Sequence, residues 1–415
     1  MNYRILFILF LVLGSAYDLV LKIVQYRSAN NPTPENLADV YDAETYQKWK
    51  RYSAEKCRLS IIKTVCAFAC NLVLLCTNAF AAFAALFPAA TMGQLSAVVL
   101  LSTLVDLVFD VIFSYIDTMV IEQKYGFNRT GMKTFIMDII RQLLLNLAIS
   151  IGLCCLLWWL YEALGAWMIL LFAAVILCVM LLITFLYPFL SRIGNKFVPL
   201  EEGELRSRLM ELLTRHGYQV RAIEVMDASR RTTKSNAYFT GFGKMKTIVL
   251  YDNLVNAMSA DEICAVFAHE LGHGLHKDTL TGSVLNFGTM LVMALVAFLC
   301  VREPQLHTAF GFEGVNYGFA YILMGIGLGV VQPLIGLATN ARSRYCEYRA
   351  DRLAVKEGYG PALISGLKTL ARVDFSHLAP SKINVVLEYS HPPMSQRVAA
   401  IEKEMAKIPS EASKP

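Results

Sequence analysis

The chain has 415 residues, of which 56% are hydrophobic and only 17% are charged. Soluble domains carry about 25% charged residues, so this is the balance of a membrane protein and not of an ordinary soluble enzyme. A net charge of +5 without a dense Lys/Arg block points away from a nucleic-acid partner, and ten cysteines without one C-x-x-C pair argue against a disulfide framework or a thiolate zinc site.

In chain order, the first apolar run is 5–24, long enough to span a bilayer. Arg4 and the small residues Gly14, Ser15 and Ala16 suggest a cleaved signal peptide instead, but the run continues past Ala16 and reads as a retained span. Residues 26–59 are polar and read as a loop around Pro32 and Pro34. Six further runs follow at 61–87, 95–121, 143–164, 167–190, 284–301 and 319–338, which predicts seven transmembrane helices. Loops 26–59 and 122–142, region 191–283 and the tail are rich in Lys and Arg, whereas the alternate connections are nearly bare. The positive-inside rule therefore predicts an outside N-terminus and a cytosolic C-terminus.

Three acids in the third span, Asp106, Asp110 and Asp117, recur at i, i+4 and i+11 and fall within about 40° of one another at the helical period. Carboxylates avoid lipid, which motivates the hypothesis of a wet cavity lined by this face. The alternative is a set of buried, hydrogen-bonded acids that hold helices together.

Region 191–283 is the largest piece outside the spans. It predicts an amphipathic helix over 201–216 and short strands at 220–226, 237–240 and 247–251, the last two joined by a turn at 241–244. Ser235, Asn236, Ala237 and Tyr238 are the candidate sheet edge on which a peptide could add as a strand. Next comes His269-Glu270-Leu271-Gly272-His273, behind an S-x-x-E capping box at Ser259 and Glu262. On a helix, His269 and His273 leave one face a turn apart and can share one Zn²⁺, with Glu270 placed as the base for a water.

A catalytic zinc needs a third protein ligand. His276 lies seven residues past His269, about 10 Å along the axis and too far to share its metal, and the long-motif zincin pattern fails because Thr279 stands where its third histidine would. Glu347 is the better candidate, with Asp351 four residues on to accept the other ring N–H of a ligating histidine. Taken alone, such a mixed-charge run is usually a solvated helix face. Spans six and seven form a hairpin, however, and that returns both ligand-bearing helices to one side of the membrane.

Five stretches together carry a resemblance: Glu122-Gln-Lys-Tyr-Gly-Phe-Asn128, Ser235-Asn-Ala-Tyr-Phe-Thr-Gly-Phe242, the His269–His273 motif, Ser343-Arg-Tyr-Cys-Glu-Tyr-Arg-Ala-Asp351, and His391-Pro392-Pro393 with Arg397. The chain resembles the type I CAAX prenyl proteases, the a-factor-converting enzyme family of integral-membrane zinc metalloproteases. The resemblance implies a mostly α, polytopic membrane protein with seven helices around a hydrated chamber and a gluzincin-type protease domain containing a small sheet. It implies one Zn²⁺ per chain with Glu347 as third ligand, Asn236 on the substrate backbone, and His391 and Arg397 as substrate or transition-state contacts. It also implies cleavage after a prenylated cysteine near a substrate's C-terminus.

The expected division is 1–190 for spans one to five, 191–283 for the cytosolic protease region, 284–340 for spans six and seven, and 341–415 for a cytosolic helical region. The expected partners are a peptide or protein substrate, with or without a prenyl group, and the lipid bilayer. Two other readings compete: a quality-control zinc protease acting on misfolded or unprenylated chains, and a non-proteolytic transporter suggested by the span acids. The compact loops favour a bacterial plasma membrane over the endoplasmic reticulum.

Overall fold

The computed structural model describes residues 2–408 apart from 129, 193–194, 219, 231–236 and 241–246. The long helices of the first half are α1 (Tyr3–Ser28), α2 (Ala43–Cys76), α3 (Thr91–Ser114), α4 (Met132–Leu164) and α5 (Met168–Leu190). Strand β1 (Phe197–Pro199), α6 (Glu204–Arg215), β2 (Ala222–Met226), β3 (Ala237–Thr240) and β4 (Thr247–Tyr251) follow. Then come α7 (Ala260–Leu275), α8 (Asp278–Arg302), α9 (Tyr317–Lys356), α10 (Gly360–Asp374), α11 (Lys382–Leu387) and α12 (Met394–Met405).

Among the described residues, six helical stretches are long and apolar enough to cross a membrane, and one of them, Met132–Ile183, takes in both α4 and α5. A single 3₁₀ turn, Gly165–Trp167, separates the two. Gly165 sits at φ +53 with ψ −126, a conformation that only glycine adopts readily. The expected count of seven spans is met in this way.

Three sequence expectations need correction. Residues 43–59 are not loop but the start of α2, because they are rich in Glu, Lys, Arg and Ala, all good helix formers. Asp42 begins that helix by accepting the Thr45 N–H at 2.6 Å. At its other end α2 stops at Cys76, short of the expected 87, and Asn78 turns the chain at φ +55. Finally, helix α3 runs into a π-helical stretch, Tyr115–Glu122. That wider winding begins before Asp117 and breaks the 3.6-residue register that placed three acids on one face. Asp106 and Asp110 accordingly line one cavity of about 330 Å³, with Ser102, Gln142 and Asn146. Asp117 instead meets Lys56 at 2.7 Å.

The chain folds into two compact units, each assembled from separated stretches of sequence. The first is Met1–Tyr26, Tyr52–Val179 and Val284–Gly336, and it holds the apolar spans. Its core includes Leu75, Leu95, Leu160, Phe310 and Phe319, all buried.

The second unit is Arg27–Arg51, Met180–Ser283 and Leu337–Pro415. Its sheet has four strands in the order β1-β2-β4-β3. Strand β2 pairs parallel with β4, and β3 pairs antiparallel with β4. The strand Phe197–Pro199 was not expected, being only three residues long; it pairs with β2. Ile263, Phe267 and Leu271 of α7 pack with Leu209 and Leu213 of α6, Leu250 of β4 and Leu363 of α10. The segment read as a loop contributes here too: Leu37 and Val40 are buried with Ala371 and Val398.

Candidate active site

The site is built where α7 meets α9. Helix α7 starts on the expected capping box. The Ser259 Oγ accepts the Glu262 N–H at 3.3 Å, and Glu262 accepts the Ser259 N–H at 2.8 Å. One turn from its end the helix presents His269 and His273, whose rings lie 4.8 Å apart. Gly272 between them lets the two backbones approach, since a Cβ there would sit 2.9 Å from the Cα of Ala350. That close crossing brings Glu347, one turn before Ala350, up to both imidazoles.

The Nε2 atoms of His269 and His273 are 3.2 Å apart. Glu347 places Oε2 at 3.5 Å from the first and Oε1 at 3.4 Å from the second. One ligand atom from each of the three residues lies within 4.8 Å of the others. The opposite ring nitrogens are taken: His269 Nδ1 meets Asp351 Oδ1 at 2.8 Å, and His273 Nδ1 meets Asp278 Oδ2 at 2.9 Å. A carboxylate only accepts, so each Nδ1 donates, and in the neutral ring that leaves the Nε2 lone pair facing inward.

Two facing lone pairs and a carboxylate repel one another unless a cation sits between them. Glu347 Oε2 is buried without a hydrogen-bond partner among the described residues. Burial disfavours a charge on His273, yet the hydrogen bonds that its ring donates to Glu347 and Asp278 outweigh it and push its pKa up to about 9. The cluster thus attracts positive charge, and its two-nitrogen, one-carboxylate donor set suits Zn²⁺.

Arg397, expected as a substrate or transition-state contact, lies against the acids of the site, with Nη1 3.4 Å from Glu347 Oε2. Its guanidinium is buried and donates through Nε and Nη2 to both oxygens of Asp351, at 2.9 and 2.6 Å. His391 is two-thirds exposed, and its Nε2 lies 3.3 Å from Glu347 Oε1. Arg344 holds the chain before it by donating to the carbonyls of Val385 and Tyr389 at 2.8 and 2.6 Å. Glu270 is half-buried beside His269 and makes no hydrogen bond among the described residues. Asn236 lies outside the described residues. Ala237 begins β3, an edge strand of the sheet, opposite Leu250.

The sequence reading missed Asp278 and Arg349. Arg349 donates to Asp278 Oδ1. A signal was present: if both histidines offer Nε2, each Nδ1 needs its own acceptor, and Asp278 is the first acid after His273.

A family model described as CAAX prenyl protease N-terminal, five membrane helices, matches residues 22–192, and one for peptidase family M48 matches 199–405. The chain is 32% identical to CAAX prenyl protease 1 of Saccharomyces cerevisiae, covering 93% of this chain and 92% of that one. It is 30% identical to a probable CAAX prenyl protease 1 of Schizosaccharomyces pombe, over 93% and 86% of the two chains. The crystal structure of S. mikatae Ste24p superposes with a TM-score of 0.88 at 26% identity, over 97% of this chain and 99% of that one.

Proposed function

Since the chain belongs to peptidase family M48, with the CAAX prenyl protease N-terminal region ahead of it, and is a multi-pass membrane metalloendopeptidase, we propose that it cleaves CAAX-type substrates after a prenylated cysteine near their C-terminus. His269, His273 and Glu347 hold one zinc ion in this reading. The observation that carries it is the convergence of both Nε2 atoms on Glu347, whose buried Oε2 has no hydrogen-bond partner among the described residues.

A bound zinc would supply Lewis acidity, polarising a peptide carbonyl and bringing a water's pKa to about 7. The remaining steps belong to the chain's own residues. Glu270 takes the proton of the attacking water and returns it to the leaving amine nitrogen. His391, exposed and aimed at Glu347, donates toward the carbonyl oxygen as charge develops on it. The β3 edge, with Asn236 and Ala237, receives the substrate backbone as an added strand. Arg397 acts through Asp351, holding the carboxylate that orients His269.

The test is hydrolysis of two peptides of one sequence, prenylated and plain, by the purified full-length protein. The prenylated peptide should be cut and a zinc chelator should abolish the cut. Glu270→Ala should keep its zinc while the rate falls by about 10²–10⁴. Equal cleavage of the plain peptide would favour the quality-control reading instead. The transporter reading is weakened, because two of the three acids that prompted it, Asp110 and Asp117, are paired with Lys63 and Lys56. The relatives reported above are eukaryotic and lend no support to a bacterial plasma membrane. The orientation we propose keeps the N-terminus outside and the C-terminus in the cytosol.

A further inference from the structure

Each histidine of the site leans on an acid, and each acid leans on an arginine. Around His269 the chain of contacts is His269–Asp351–Arg397, with 2.8 Å from ring to acid and 2.6 Å from acid to guanidinium. Around His273 it is His273–Asp278–Arg349. The second set is built from different parts of the chain. Asp351 stands one turn beyond Glu347 on α9, whereas Asp278 opens α8, five residues after His273. Between the latter two, Lys277 turns the chain at φ +55, a left-handed conformation that a residue with a side chain rarely adopts. That turn returns Asp278 to the ring it has just passed.

Further contacts hold Asp278 in place. Its backbone carbonyl accepts from Arg342 Nη2 at 3.2 Å, and Arg342 also donates to Thr281 Oγ1 on the same turn of α8. Arg342 and Arg349 are seven residues apart on α9 and so share one of its faces. The Asp278 side chain is only 10% exposed. A buried carboxylate needs a charged or hydrogen-bonding partner, and Arg349 takes the oxygen that His273 leaves.

We propose that Asp278 and Arg349 are positioning residues for the metal centre, a second relay that fixes the tautomer and ring plane of His273 as Asp351 and Arg397 do for His269. Arg349 acts only through Asp278. The proposal rests on the reading that His269, His273 and Glu347 hold zinc. Its consequence is a metal affinity set by four residues beyond the ligands, two per imidazole.

Zinc affinity of the full-length protein, measured by competition with a chromophoric chelator, tests this. Asp278→Ala should weaken zinc binding by about 10–100-fold, and Arg349→Ala by about tenfold. Because one residue works through the other, the double variant should bind zinc no more weakly than Asp278→Ala alone. Asp278→Asn and Arg349→Lys, which keep size and a hydrogen-bonding group, should fall between wild type and the alanine variants and serve if an alanine variant does not fold. The visible spectrum of the cobalt-loaded protein should change in Asp278→Ala. Losses that add in the double variant would overturn the relay. So would unchanged zinc affinity in Asp278→Ala with a lowered melting temperature of the metal-free protein, which marks a merely structural residue. Wild-type protein that takes up no zinc would overturn the site reading and the relay with it, whereas tight wild-type binding that Asp278→Ala and Asp278→Asn both leave intact overturns the relay alone.

Discussion

The two units each carry a helix with acids four residues apart, and the two pairs have little else in common. In the first unit, Asp106 and Asp110 of α3 border a cavity, and Asp110 meets Lys63 at 3.1 Å with both side chains more than 40% exposed. In the second, Glu347 and Asp351 of α9 are only 7% and 3% exposed, and they face two histidines and Arg397. One spacing therefore yields a half-exposed ion pair in one place and a buried cluster of acids and histidines in the other. Spacing along a helix says which side chains share a face; what covers that face decides their chemistry.

The sharpest way to break this comparison is to remove one carboxylate from each pair. Glu347→Ala should lose zinc, seen by elemental analysis, and hydrolysis with it, a fall of several kcal/mol or about 10³-fold. Asp110→Asn should leave zinc content and rate unchanged. A metal-replete Glu347→Ala would remove that residue from the donor set.

Removing the cations should give a smaller contrast. Arg397→Ala leaves Asp351 buried with one partner fewer, and zinc affinity should drop by about 10–100-fold. Lys63→Ala breaks a half-exposed pair worth about 0–1 kcal/mol, measured as a shift in the unfolding midpoint. Equal effects of the two changes would erase the distinction between the units.

The smallest contrast concerns two helix glycines. Gly272→Ala would set a Cβ 2.9 Å from the Ala350 backbone, and forcing the helices apart should cost about 1–3 kcal/mol by thermal unfolding and loosen zinc. Gly152, in the interior of α4, has nothing within 4 Å of such a Cβ. Its alanine variant should be neutral or stabilised by about 0.5–1 kcal/mol.

Much of this site was legible before any coordinates. Two histidines one turn apart behind a capping box read as a candidate metal pair on a helix, because periodicity and capping are local properties. The edge strand at Ala237–Thr240 and the seven spans were legible for the same reason: both are read within a window of a few to some twenty residues. Where local winding departs from the average, as in the π stretch before Asp117, the same window misleads.

Residues that act across the chain were harder to read. Asp278 and Arg349 lie 71 positions apart, and nothing in either's neighbourhood marks them as a pair. Arg397 entered the reading through its motif match alone, and nothing near it in the sequence points to its two bonds to Asp351. Likewise, Gly272 is an ordinary member of a motif until Ala350 is found against it.

By itself the sequence determined the helices, their apolar faces and the histidine pair, since each follows from short-range pattern and residue chemistry, whereas Glu347 was picked out by the hairpin of spans and the family resemblance. Tertiary structure alone decided which acid serves which imidazole, which arginine holds each acid, and that the segment Arg27–Arg51 belongs with the protease unit. The reason is physical: a buried charge is stable only beside its partner, and that partner is chosen by how closely two helices cross, a distance that no local pattern of residues encodes.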